Sequence, residues 1–395
     1  MLQDQRRPDR LRVADPTRAL LPSFFMAGFE CSSQRRLDGR RLDLLDSTGH
    51  AQLVRADYQR IALHGMKVAR DGLRWHLIES SAGHYSWDSW LPMVEAARAQ
   101  GIKVIWDLCH YGWPDHLDIW SAEFIDSFAR FSRTAARILC SNGEEDPYFC
   151  PVNEISYFAW AAGQVGRIHP GATGRGEELK QQLIRAYLAA VRAVREVAPK
   201  ARFLISEPLI HIVCTDPADE PAAEAYRLAQ YAAHDMIAGR ARPELGGSEE
   251  DLDVIGANFY PDNQWYWMGS TIPLGHHAYR PLSRMLRELR TRYHRPVLIS
   301  ETGAEGAARP SWLHHVCHEV YRAARSGVAI EGVCLYPIID YPGWDNDRLC
   351  TVGLFTLPTR NGQRRVHRDL LVELQHHMQR PADRIPRGLR KVAAS

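Results

Sequence analysis

Eight short runs of apolar and β-branched residues, separated by longer amphipathic stretches, constrain this chain more than any other feature. They fall at 24–29, 67–69 with 73–75, 103–108, 148–152, 202–205, 252–257, 296–299 and 332–337. Within each run the apolar residues are continuous rather than alternating, as in parallel strands covered on both faces. The stretches between them carry helical spacing. In 179–197, Leu183, Ala186, Tyr187, Ala190, Val194 and Val197 share one face and leave Arg185, Arg192 and Arg195 on the other. Segments 124–139, 222–238, 282–292 and 312–325 read the same way, and 57–63 leads into Gly65, which can end a helix. Strand and helix alternating eight times predict a single (β/α)8 TIM barrel. An open doubly wound sheet would also alternate, but the glycines of 171–176 lack the strand-tight GxGxxG pattern such a nucleotide fold would carry.

No linker divides the 395 residues. The expected organisation is a flexible N-terminal extension over 1–20, the catalytic barrel over 21–379 and a basic tail over 380–395. The arginines of that tail read as solvated, and a net charge of +2 gives no reason to expect nucleic acid or another acidic polymer as partner. The first twenty residues contain no continuous apolar segment, and no run approaches the length of a membrane span. With eight cysteines scattered singly, the expectation is a reduced cytoplasmic protein without a membrane partner. The sequence leaves the oligomeric state open. The histidine pairs at 276–277, 314–315 and 376–377 predict no metal site, since adjacent helical residues do not share a face.

In a (β/α)8 barrel the reactive side chains gather at the C-terminal ends of the strands. Those ends are dense in polar and aromatic residues here. Glu30 and Gln34 follow the first, Arg70 and Arg74 the second, and His110 and Tyr111 the third. Asn153 and Glu154 follow the fourth, Glu207 the fifth, Asn258 and Tyr260 the sixth, Glu301 the seventh and Trp344 the eighth. Trp75, Trp113, Trp265 and Trp344 near these ends suit a carbohydrate, whose C–H faces stack on aromatic rings. Two strand-terminal glutamates, Glu154 and Glu301, could supply the acid and the nucleophile of glycosidic bond cleavage.

These segments resemble a known family. The chain is similar to the clan A glycoside hydrolases and, within them, most similar to the family 1 β-glycosidases. Asn153-Glu154 resembles the acid/base motif, and Ser300-Glu301-Thr302-Gly303 resembles the Thr-Glu-Asn-Gly nucleophile motif. Arg70 and Trp75 have the spacing of the strand-two segment, and the stretch ending in Gln34 resembles the one that supplies a sugar-binding glutamine. His110 precedes Pro114 as in the strand-three loop, and Ile255-Gly256-Ala257-Asn258-Phe259-Tyr260 is close to the family's Ile-Gly-Ile-Asn-Tyr-Tyr.

The resemblance implies a retaining exo-β-glycosidase without cofactor or metal, acting on a small-molecule β-glycoside or short oligosaccharide. Glu154 would be acid/base and Glu301 nucleophile, with Arg70 and Tyr260 beside Glu301. Asn153 would hold the sugar 2-hydroxyl, Gln34, His110 and Trp344 would grip the glycone, and Asn258 belongs to the same site. Glu30 and Glu207 have no counterpart in the family and stand as additional contacts, as do Asp340 and Asp345. After strand eight the family's Glu-Trp pair is replaced by Asp340-Tyr341-Pro342-Gly343-Trp344-Asp345. A transglycosidase using the same two carboxylates and a non-catalytic carbohydrate-binding barrel are the alternatives.

Overall fold

The eight apolar runs become the eight strands of one closed, all-parallel barrel in the computed structural model, which describes residues 19–379. They are β1 (Phe25–Gly28), β2 (Val68–Gly72), β3 (Lys103–Cys109) and β4 (Tyr148–Val152). β5 (Arg202–Pro208), β6 (Val254–Asn258), β7 (Val297–Thr302) and β8 (Ile330–Leu335) complete the circuit, with β8 pairing back onto β1. Around it lie α1 (His50–Leu63), α2 (Leu91–Gln100), α3 (Ala122–Ser141) and α4 (Gly176–Arg195). They are followed by α5 (Glu220–Leu228), α6 (Ala232–Ile237), α7 (Leu282–Tyr293), α8 (Arg309–Arg325) and α9 (Arg368–Met378). The two proposed terminal segments lie largely outside the described residues. At the boundary, Leu20 is anchored: its N–H donates to Glu331 (3.1 Å) and its carbonyl accepts from Tyr148 (2.9 Å). Among the described residues no helix is long and apolar enough to cross a membrane. No disulfide joins the cysteines among the described residues.

Two sequence expectations change. The second strand stops at Gly72, and Trp75 opens a short helix instead of extending the strand. Its ring is buried against Phe124, Phe128 and Phe131, so this tryptophan serves the core. The single helix expected over 222–238 is divided into α5 and α6 by a 3-10 turn at Ala229–Tyr231.

The two-residue repeat of a strand decides what faces the lumen. Met26, Val68, Ile105, Tyr148, Leu204, Val254, Leu298 and Cys334 form the apolar filling of the barrel. Two residues further along their strands stand Arg70, Asp107, Ser206 and Ser300, so the next layer is polar. Gly256 belongs to that layer, and a Cβ there would overlap the Ser300 hydroxyl.

The alternate residues of each strand face the helices. Asp71, next to Arg70, accepts from Tyr58 (2.7 Å) and pairs with His50 (2.8 Å) on α1. His50 also meets Asp57 (2.9 Å), which is held by Arg364 (2.7 Å) from the segment before α9. Burial pulls the His50 pKa down, but Asp71 and Asp57 raise it from 6.5 to about 9. His50→Leu leaves Asp71 buried without a cation and should cost about 3–5 kcal/mol of unfolding free energy near pH 7, read by urea titration. The contribution of charged His50 is complete below its unfolded pKa and is lost as pH rises through about 9. The difference between variant and wild type should therefore shrink between pH 7 and 10, and a constant difference would contradict the charged pair.

Candidate active site

Arg70 is the hub of the polar layer. Fully buried on β2, its guanidinium donates to both oxygens of Asp107 on β3 (2.9 and 2.7 Å) and to Glu301 on β7 (2.6 Å). It also donates to the Asn153 side-chain oxygen just beyond β4 (2.6 Å). Burial raises the pKa of Asp107, yet Arg70 and His110 together bring it below the ordinary value.

Strand parity would turn Glu301, the neighbour of inward Ser300, away from the lumen. A register irregularity prevents this. β7 pairs with β6 through Ile299↔Ala257 and then Glu301↔Asn258, one residue out of step, and its pairing with β8 shifts in the same stretch. Such a bulge re-aims a side chain. Glu301 thereby joins Ser300 in the polar layer, while Thr302 turns outward to accept from Trp312 (2.9 Å). The second oxygen of Glu301 accepts from the Tyr260 hydroxyl (2.9 Å).

Glu154 is aimed by a different device. Its φ of +43° puts it in the left-handed region, uncommon for a residue other than glycine. Its N–H donates to the Ser206 carbonyl on β5 (2.9 Å), so the chain turns sharply off β4 into the next helix. One carboxyl oxygen accepts from the Asn258 amide (2.8 Å) and the other from the Tyr111 hydroxyl. Tyr111 itself has a φ of +67°. Asn258 and Tyr260, both contributed by the end of β6, therefore hold one glutamate each.

Proton positions follow from Arg70. Because it donates to the Asn153 oxygen, the Asn153 NH2 points the other way, to His110 Nε2 (3.0 Å) and the Tyr111 oxygen (3.0 Å). His110 is then an acceptor at Nε2, and its Nδ1–H donates to Asp107 (2.8 Å). Tyr111, already accepting from Asn153, spends its one proton on Glu154. A directed chain thus runs from Arg70 through Asn153 and Tyr111 to Glu154.

The two carboxyls sit in opposite surroundings. Glu301 lies on a guanidinium, whereas neither hydrogen-bond donor to Glu154 is charged. Burial, and next the charge of Glu301, push the Glu154 pKa from 4.5 up to about 7, against the bonds from Tyr111 and Asn258.

Several of the remaining expected residues surround this centre. The Gln34 side chain is buried, and neither its oxygen nor its nitrogen has a hydrogen-bond partner among the described residues. Its neighbour Ser33 donates from the backbone to the His110 carbonyl (3.2 Å). The Trp344 ring meets Tyr111 (centroids 5.6 Å) and Tyr157 (6.3 Å), with its buried indole N–H likewise unpartnered. Glu30 lies 4.0 Å from His110 and accepts from Ser32. Burial raises its pKa above the ordinary value.

Others lie elsewhere. Glu207 has the outward parity of β5 and accepts from the Ser156 N–H (3.1 Å), with burial raising its pKa to about 8. It buttresses the turn after Glu154 instead of lining the polar layer. Asp340 accepts from the Gly353 N–H (2.8 Å), and exposed Asp345 pairs with Arg167 (2.8 Å). Arg74 binds Asp43 (3.2 Å), and Trp113 is buried, donating to the Leu117 carbonyl (3.0 Å). Trp265 packs on Tyr226.

Asp107 is a participant that the strand-end pattern did not mark, and Tyr111, marked there as a strand-end residue, had no role assigned to it. Asp107 reads as one polar residue within an apolar strand, and only its inward parity marks it. Tyr111→Phe removes a donor to Glu154 and should move that carboxyl's pKa above about 7, measured by isotope-edited infrared titration. An unchanged pKa would show that the Tyr111 bond does not tune it.

No protein-family model and no curated protein matches the chain. Solved structures do. The chain is similar to a hyperthermophilic β-glucosidase mutant at a TM-score of 0.73 and 16% identity, over 89% of this chain and 99% of that one. It is also similar to the Thermotoga maritima β-glucosidase in complex with deoxynojirimycin at a TM-score of 0.73 and 15% identity, covering 90% and 97% of the two chains. The Thermotoga maritima family 1 β-glucosidase with isofagomine lactam gives a TM-score of 0.73 at 15% identity, over 91% and 99%. The chain therefore shares the barrel of family 1 β-glucosidases over nearly its whole described length.

Proposed function

We propose that the protein is a retaining exo-β-glycosidase acting on a small β-glycoside or short oligosaccharide. The observation that carries this reading is the unequal setting of two carboxyls held by one strand end. Glu301 sits against Arg70 and Tyr260, while Glu154 lacks a charged donor and has a pKa of about 7. The nucleophile candidate is thus paired with a cation while Glu154 holds its proton up to about pH 7, the division of labour that double displacement requires.

In the first step Glu301 attacks the anomeric carbon while Glu154 gives its proton to the departing oxygen. The glycosidic C–O bond breaks and a glycosyl ester forms on Glu301. In the second step water attacks that carbon, Glu154 takes the water's proton, and Glu301 leaves as the carboxylate. Tyr111 and Asn258 fix both oxygens of Glu154 throughout. The Gln34 amide and the Trp344 indole N–H, without partners among the described residues, offer polar atoms that sugar hydroxyls would satisfy. Both amide hydrogens of Asn153 are engaged by His110 and Tyr111, so a sugar 2-hydroxyl reaching Asn153 replaces one of those bonds.

Aryl β-glycosides that differ in the sugar provide the test. Glu301→Ala should abolish turnover, and a 2-fluorosugar inactivator should label Glu301; labelling at another residue refutes the nucleophile. Glu154→Ala should cost about 10²–10⁴-fold on glycosides with poor leaving groups and much less on activated aryl glycosides. Equal losses on both would exclude Glu154 as the acid. For the wild type, kcat/KM should fall as pH rises through about 7, where Glu154 gives up its proton.

A further inference from the structure

Away from the barrel mouth, the outer helices bring together three side chains that the site above does not use. His314 on α8 and Glu373 and His377 on α9 present their donor atoms to one point. The Nδ1 of His314 and the Nε2 of His377 each lie 2.8 Å from the same carboxylate oxygen of Glu373. All three donor atoms lie within 4.8 Å of one another. Sequence spacing predicts no metal at the histidine pairs because neighbours on a helix diverge. The structure unites different partners: Glu373 and His377 are one helical turn apart, and His314 comes from a helix 59 residues earlier.

We propose that His314, Glu373 and His377 form a binding site for a borderline divalent cation, with Zn2+ as the best match. Two imidazole nitrogens and one carboxylate oxygen are the donor types that Zn2+ takes, whereas Mg2+ and Ca2+ prefer all-oxygen sets. Tetrahedral bonds of about 2.0–2.1 Å separate donors by about 3.3 Å, so each imidazole nitrogen, now 2.8 Å from the Glu373 oxygen, needs to draw back from it by only about half an ångström. His314, half exposed, can make that adjustment, while His377 is buried and fixed. The Nδ1 of His377 lies 3.5 Å from the Tyr321 hydroxyl, which places an outer partner where a metal-bound imidazole needs one. With three protein donors, water would complete the coordination. The ion would clamp α9, the last described helix, onto α8.

The test is calorimetric titration of the untagged, full-length protein with ZnCl2, with thermal unfolding recorded in parallel. One saturable site per chain and a higher unfolding midpoint in Zn2+ are expected, with no change in Mg2+. His314→Ala removes an exposed side chain and Glu373→Gln keeps its shape, so both variants should fold. Each should weaken Zn2+ binding at least tenfold and abolish the midpoint shift. His84→Ala, at an exposed histidine remote in the chain, should leave both unchanged. Absence of saturable binding, or binding that survives both His314→Ala and Glu373→Gln, overturns the proposal.

Discussion

One buried guanidinium organises the upper half of this barrel. Arg70 binds Asp107, Glu301 and Asn153 and so ties β2 to β3, β7 and the end of β4. Removing a cation from water is costly, and the cost is offset here by two carboxylates and an amide oxygen in direct contact. The arrangement is also directional. By fixing the Asn153 oxygen, Arg70 determines which way the amide hydrogens point, and through them the proton positions on His110 and Tyr111. A charge at the barrel axis thereby reaches Glu154 without touching it.

The rest of the candidate site consists of departures from regular strand geometry around that charge. Unbroken two-residue alternation supplies Arg70, Asp107, Ser206 and Ser300 to a single layer. It cannot also supply Glu301, which follows Ser300 directly. The β7 irregularity does so, as the left-handed turn at Glu154 does for the other carboxyl. Both devices break local preference, and both sit where a carboxyl must face the lumen beside its neighbours. Local rules yielding at a functional centre is the expected pattern.

Much of the fold was legible because it depends on periodicity. Continuous apolar runs of strand length, separated by helical spacing, are consistent with few architectures, and all eight runs became barrel strands. The errors came where a single residue type was read without its environment. Trp75 and Trp113 looked like a carbohydrate-facing rim, yet both are core side chains, because an aromatic ring serves packing equally well. Glu207 looked like a third site carboxyl, but parity turns it outward, where it buttresses the turn behind Glu154. Asp107 passed unnoticed inside an apolar strand for the converse reason.

By itself the sequence determined the architecture, the strand ends and the pair of glutamates, since these follow from local patterns of polarity along the chain. The tertiary structure alone decided which side chains share a lumen and how each carboxyl is solvated. The Glu154 pKa comes from burial and the nearby charge of Glu301, residues far apart in sequence. The Asn153 orientation comes from Arg70 on another strand. Such effects depend on distances across the closed barrel, and only closure sets those distances.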